Sequence, residues 1–162
     1  MKQLLLNLLQ KILTMALKQP RRPSGEAVAL IKRWEGCKLT SYQDVGGVWT
    51  VGYGTTGPNI GPGVTITQVE ADYLLTNRLN ACGEGINRLT SADLTQRQFD
   101  ALCCLVYNIG LGAFERSTLL SYLNTNQIPE ARAEILKWDH VHGVEVKGLY
   151  ARRLDEWRLF QG

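Results

Sequence analysis

Cysteine is scarce in this chain, with four in 162 residues. Cys37, Cys82, Cys103 and Cys104 form no CxxC pair, which argues against a zinc ribbon, and they are too few for a disulfide-built mini-domain. Prolines number five against 16 glycines, and no tract of a single residue type occurs, so a collagen-like or low-complexity disordered chain is excluded. No uninterrupted apolar stretch reaches the roughly 20 residues that a bilayer span requires. No self-similarity recurs at a period of about 20 to 50 residues, which argues against a solenoid. What remains is ordinary globular material, 44% hydrophobic and 20% charged, long enough for one domain with its own core plus a short appendage.

The formal net charge of +3 hides an asymmetry. Residues 1–22 carry Lys2, Lys11, Lys18, Arg21 and Arg22 with no acid, leaving 13 of the 18 basic residues against 15 acids, a net of −2, for residues 23–162. A basic end on an acidic body points to an anionic surface rather than to nucleic acid, since the body's aromatics are not interleaved with basic stripes. Plotted at about 100° per residue, positions 4–18 place Leu4, Leu5, Leu6, Leu8, Leu9, Ile12, Leu13, Met15, Ala16 and Leu17 on one arc, with Asn7, Gln10, Lys11, Thr14 and Lys18 opposite. This predicts an amphipathic helix with a wide apolar face. Three roles fit it: lying in an anionic membrane or lipopolysaccharide surface with Lys2, Lys11 and Lys18 outward, packing on this or another copy of the chain, or serving as a cleaved export signal. Pro20 and Pro23 end the helix, so the domain boundary falls between residues 22 and 23.

Within residues 23–162, Ser24 caps a helix running to about Trp34, and Gly36 favours its stop, which places Glu35 at the helix C-terminus. The helical period then vanishes. Gly46-Gly47 supplies a turn, and Trp49, Val51 and Tyr53 alternate with smaller residues, the pattern of a hairpin or three-stranded sheet. Thr67 with Glu70 and Thr95 with Gln98 are spaced as capping boxes, the first opening a long helix through Ile86, the second an apolar helix ending at Gly110. Helical periodicity returns at 113–124, 129–138 and 148–160, which predicts an all-helical second half. The expected fold is α+β, a small antiparallel-sheet lobe and a larger all-helical lobe joined by a long helix, with a substrate cleft between them.

Chemistry concentrates in one stretch, where Glu35 is followed nine residues later by Asp44 entering a glycine turn and six after that by Thr50 on a strand. Two carboxyls in this arrangement suit general acid–base chemistry, one donating a proton and the other, ionised, taking one from a water. The helix-end position favours the protonated form of Glu35, and the open turn favours an ionised Asp44. Thr50 could hold the water.

The spacing Glu, eight residues, Asp, five residues, Thr resembles the catalytic segment of the phage-type lysozymes, the endolysins of glycoside hydrolase family 24. Further matches are Tyr107-Asn108-Ile109-Gly110, Phe114-Glu115-Arg116-Ser117, and Gly148-Leu149 with Arg152-Arg153 and Glu156. The resemblance covers residues 24–160. It implies a muramidase that hydrolyses, with inversion, the β-1,4 bond between N-acetylmuramic acid and N-acetylglucosamine in peptidoglycan and lyses a bacterial host, being made in the cytoplasm and acting in the periplasm or on the wall; inversion goes with carboxyls about 6.5 to 9.5 Å apart, Glu35 donating to the leaving oxygen and Asp44 activating water. By the same resemblance Tyr107, Asn108, Phe114 and Ser117 line the sugar cleft.

Thr55 stands where many relatives have a His, so a His–carboxylate pair that steadies the small lobe in those relatives is missing here. Some membrane-tethered relatives are regulated by a thiol near the catalytic Glu, which draws notice to Cys37. His140 and His142, two apart, do not share a helix face and suggest no metal, and no cofactor is implied. The rival readings are a lytic transglycosylase, which needs no water-activating pair, and a non-catalytic wall-binding domain whose N-terminal helix disrupts membranes.

Overall fold

The computed structural model describes residues 2–7, 9, 19–141 and 143–161. Residues 2–7 and 9 are helical, and Leu4, Leu5, Leu6 and Leu9 are exposed, as is Lys2. The remainder of the expected amphipathic helix, with Lys11 and Lys18, lies outside the described residues.

Helix α1 (Gly25–Glu35) starts where Ser24 accepts a hydrogen bond from the Glu26 amide. The same serine donates through its amide and its hydroxyl to the buried Asp100 at 2.9 and 2.5 Å, so the cap also anchors the helix to the core. Strands β1 (Lys38–Gln43), β2 (Trp49–Gly52) and β3 (Thr55–Thr56) form an antiparallel sheet in sequential order, with Tyr42 opposite Thr50 and Val51 opposite Thr55. Both predicted capping boxes are formed: Thr67 with Glu70 opens α2 (Gln68–Leu89), and Thr95 with Gln98 opens α3 (Gln96–Ile109). Each box satisfies two amides that helix geometry leaves without partners.

Every residue of α3 from Phe99 to Tyr107 is buried, including Cys103 and Cys104. A helix that buries its whole circumference must be surrounded, and α3 packs against α1, α2, α4 (Leu111–Glu115) and α7 (Lys147–Gln161). Helices α5 (Thr118–Asn124) and α6 (Ile128–Ile135) pack on each other and complete the helical lobe. No described helix is long and apolar enough to cross a membrane.

Two expectations are corrected. The helix predicted over 113–124 is two helices, because Ser117 takes an extended conformation and caps α5 by accepting from the Leu120 amide at 3.1 Å. The second half is not all helical either. Between α6 and α7 a two-stranded hairpin, β4 (His140–Val141) and β5 (Val144–Glu145), turns through Gly143 at φ 80°, a left-handed conformation that favours glycine. At its base His140 Nδ1 lies 2.5 Å from Asp139 Oδ1; His142 is outside the described residues.

Close approach between α2 and α4 depends on Gly85, where a Cβ would come within 2.5 Å of Leu111 Cδ1. The Gly85→Ala variant gains about 1 kcal/mol of helix propensity but forces Leu111 to move, at a cost of about 1 to 3 kcal/mol. A net loss of about 1 kcal/mol is expected in urea denaturation.

Candidate active site

Glu35 is the last residue of α1, and its side chain keeps 21% of its surface exposed. The carboxyl is not alone at the helix end: Oε1 accepts from Arg152 Nη1 at 2.7 Å. The sequence reading placed Arg152 in a matching block but gave it no role, because its partner lies 117 residues away. Arg152 is itself nearly buried, and its Nε donates to Glu156 Oε1 at 3.2 Å. Arg153 donates from Nη2 to the same oxygen at 3.0 Å and to Asn108 Oδ1 at 3.1 Å, and its Nε lies 2.9 Å from Glu156 Oε2. Spacings of three and four residues put these three groups on one side of α7. Glu156 is 0% exposed. Burial pushes its carboxyl up to about 7, against the downward pull of Arg153 and Arg152, while burial pushes the Arg153 guanidinium down.

The turn between β2 and β3 comes up against the acid. Gly54 adopts φ 83°, a left-handed conformation that favours glycine, and a Cβ there would sit 3.4 Å from Glu35 Oε2, so the turn lies against this carboxyl.

Asp44 sits exposed at the tip of the β1–β2 turn. Its Oδ1 accepts from the amides of Gly46 at 2.9 Å and Val48 at 2.8 Å, while Oδ2 makes no hydrogen bond among the described residues. Fixing one oxygen on the backbone aims the carboxylate and leaves the other for chemistry. Thr50 is buried, and its hydroxyl donates to the Val48 carbonyl at 3.0 Å. With its proton used in this way, the Thr50 oxygen remains an acceptor. Asp44 and Thr50 therefore share one partner, Val48, which binds the first through its amide and the second through its carbonyl.

The four residues expected to line the cleft divide. Tyr107 is fully buried, and its hydroxyl donates to the Tyr53 carbonyl at 2.7 Å, so it is a strut beneath the site rather than a sugar contact. Phe114 is likewise corrected to core, since α4 turns it inward and leaves it no accessible surface. Asn108 is exposed at the end of α3 beside Arg153. Ser117 is half-buried at the α5 cap and borders a depression of about 490 Å³ with Arg116, Lys137 and Trp138. That depression does not include Glu35 or Asp44. All four cysteines are free thiols, with Cys37 exposed.

Comparison with known proteins identifies the family. The Phage lysozyme family model matches residues 32–156. An endolysin of Acyrthosiphon pisum secondary endosymbiont phage 1 is 42% identical over 142 residues, covering 85% of this chain and 97% of that one. The endolysin of Bacillus phage PZA is 39% identical over 139 residues, 85% of this chain. The chain spans only 54% of that relative's length. Among solved structures, the muramidase domain of SpmX from Asticaccaulis excentricus superimposes with a TM-score of 0.81 at 35% identity, covering 88% of this chain and 99% of that one. The lysozyme-like fold is thereby established, and the chain belongs to the phage lysozyme family.

Burial raises the Tyr107 hydroxyl to about 12 from 10.0 and the Cys82 thiol to about 11 from 9.0. Each group holds its proton more tightly when folded, so the unfolded chain releases protons first as the solution turns alkaline. The stability contributed by these two groups is therefore full below about pH 9 and is lost between about pH 9 and 12. Thermal midpoints measured across that range should decline, and Tyr107→Phe should flatten the decline above pH 10.

Proposed function

We propose that this chain is the lysis enzyme of a bacteriophage, a muramidase that hydrolyses the β-1,4 bond between N-acetylmuramic acid and N-acetylglucosamine with inversion at the anomeric carbon. The observation that carries the reading is the pair of carboxyls on different lobes: Glu35 held at one oxygen by Arg152, and Asp44 held at one oxygen by two amides with the other unbonded among the described residues. Family membership and the muramidase relative support it.

Glu35 gives its proton to the glycosidic oxygen as the bond from the muramic acid C1 breaks. Asp44 takes a proton from a water through Oδ2 while Thr50 accepts that water's second hydrogen, and the water oxygen bonds to C1 from the opposite face. One water is consumed, and both products leave with free hydroxyls. Asn108 and Ser117 are the remaining candidates for saccharide contact. Digestion of purified peptidoglycan, followed by mass spectrometry, should give hydrated, reducing muramic acid ends. Glu35→Gln and Asp44→Asn should each lower the rate by about 10²- to 10⁴-fold. Products with 1,6-anhydro ends would instead identify a lytic transglycosylase. No cleavage by a preparation that still kills cells would leave a wall-binding domain with a membrane-active helix.

The enzyme is read as made in the cytoplasm and acting in the periplasm or on the wall, with the N-terminal segment contacting an anionic membrane or lipopolysaccharide through Lys2, Lys11 and Lys18. The exposed Leu4, Leu5, Leu6 and Leu9 support that contact. The full chain should bind anionic vesicles and lose that binding when it begins at Pro23; equal binding by the two forms would end this part of the reading.

A further inference from the structure

The two carboxyls stand on different lobes. Glu35 ends α1, which packs on α3, and it is held by Arg152 of α7, whereas Asp44 and Thr50 belong to the sheet. One hydrophobic cluster runs from Ala27 and Ile31 of α1 to Tyr53 of the sheet lobe. Polar bonds that cross between the lobes add direction to that packing.

Arg78, halfway along α2, makes such bonds with both ends of its guanidinium. Nη1 donates to the carbonyl of Gly54 in the β2–β3 turn at 2.7 Å, and Nη2 donates to the carbonyl of Tyr107 in the last turn of α3 at 2.9 Å. The guanidinium lies 4.1 Å from the centroid of the Tyr107 ring. From that ring the hydroxyl crosses back to the sheet lobe, donating to the Tyr53 carbonyl at 2.7 Å. Two consecutive carbonyls of the sheet lobe, those of Tyr53 and Gly54, are thus held by Tyr107 and Arg78. They belong to the turn that lies against the acid, since a Cβ on Gly54 would meet Glu35 Oε2 at 3.4 Å.

Resting on the proposed glycoside hydrolysis, we propose that Arg78 is a positioning residue, which with Tyr107 holds the sheet lobe in the register that sets Asp44 and Thr50 against Glu35. The fork geometry is essential. Arginine presents divergent donors in a fixed plane, so one side chain can hold carbonyls on both lobes; lysine has a single ammonium at the end of a flexible stem and cannot keep the same two bonds. The side chain is exposed at the surface, so replacing it leaves the core intact. Because a misplacement of about 1 Å between reacting groups can cost about 10²-fold in rate, loosening the clamp should appear in turnover rather than in binding.

The test compares wild type with Arg78→Lys and Arg78→Met in the full chain, measuring kcat and KM on solubilised peptidoglycan strands, thermal midpoints, and hydrogen–deuterium exchange of the segment 49–57. Both variants should show a kcat lower by about 10- to 100-fold with KM within about twofold. Thermal midpoints should move by only a few degrees, and exchange in 49–57 should be faster. A raised KM with unchanged kcat would make Arg78 a direct substrate contact and overturn the proposal. So would a change in turnover without a change in exchange, or the reverse. If wild type cleaves no peptidoglycan, it is the proposed function that fails; unchanged exchange in both variants would still refute the clamp.

Discussion

A carboxylate with no access to solvent has to be neutralised where it lies, and Glu156 imposes that demand on this fold. The unpaired cost of such a group is several kcal/mol, and losing one partner of a buried pair costs about 3 to 5 kcal/mol. Two arginines meet the demand, and each has a second obligation: Arg152 reaches Glu35 on α1, and Arg153 reaches Asn108 on α3. One buried acid on α7 thereby ties the last helix to the first and to the central one. The same tie delivers a guanidinium to the catalytic candidate, so core electrostatics and the site are parts of one network.

Around that network the fold separates rigid support from exposed chemistry. Helix α3 is surrounded on all sides and gives the helical lobe a fixed frame. Asp44, by contrast, sits on a turn in which two amides secure one of its oxygens. Rigid backing with a polar group presented at a turn is the arrangement by which a site gains precision while staying open to a polymer. The Arg78 bonds join the two regimes. Next to Thr55, the position at which the resemblance implies a His–carboxylate pair in relatives, Gly54 is anchored through its carbonyl by Arg78.

Much of the fold could be read locally. Ser24, Thr67 and Thr95 are helix caps because their side chains serve amides two or three residues on, a relation contained within a few positions. Glu35, Asp44 and Thr50 could be proposed as a set for the same reason, lying within one strand–turn–strand segment and the helix before it. The pairing of Glu35 with Arg152 was not, since 117 residues separate them and nothing in either neighbourhood names the other. Tyr107 and Phe114 were placed in the cleft by resemblance, which does not report packing: α3 has no free face for Tyr107, and Phe114 has no accessible surface on α4. The hairpin at 140–145 was missed because strands of two residues are too short to show alternation. A resemblance in sequence carried the right family but transferred cleft residues that the packing here turns inward.

The boundary between residues 22 and 23 shows how composition and mechanics can disagree. Proline placement and charge both divide the chain there, yet the residues on either side are bonded to the helical lobe. Asn87 of α2 donates to the Arg21 carbonyl at 2.8 Å, Gln96 of α3 donates to the Arg22 carbonyl at 2.8 Å, and Ser24 is fixed on Asp100. A flexible tether would leave those carbonyls to water. Here they are taken up by side chains from two different helices, so Arg21, Arg22 and Ser24 are built into the frame that carries α1 and Glu35.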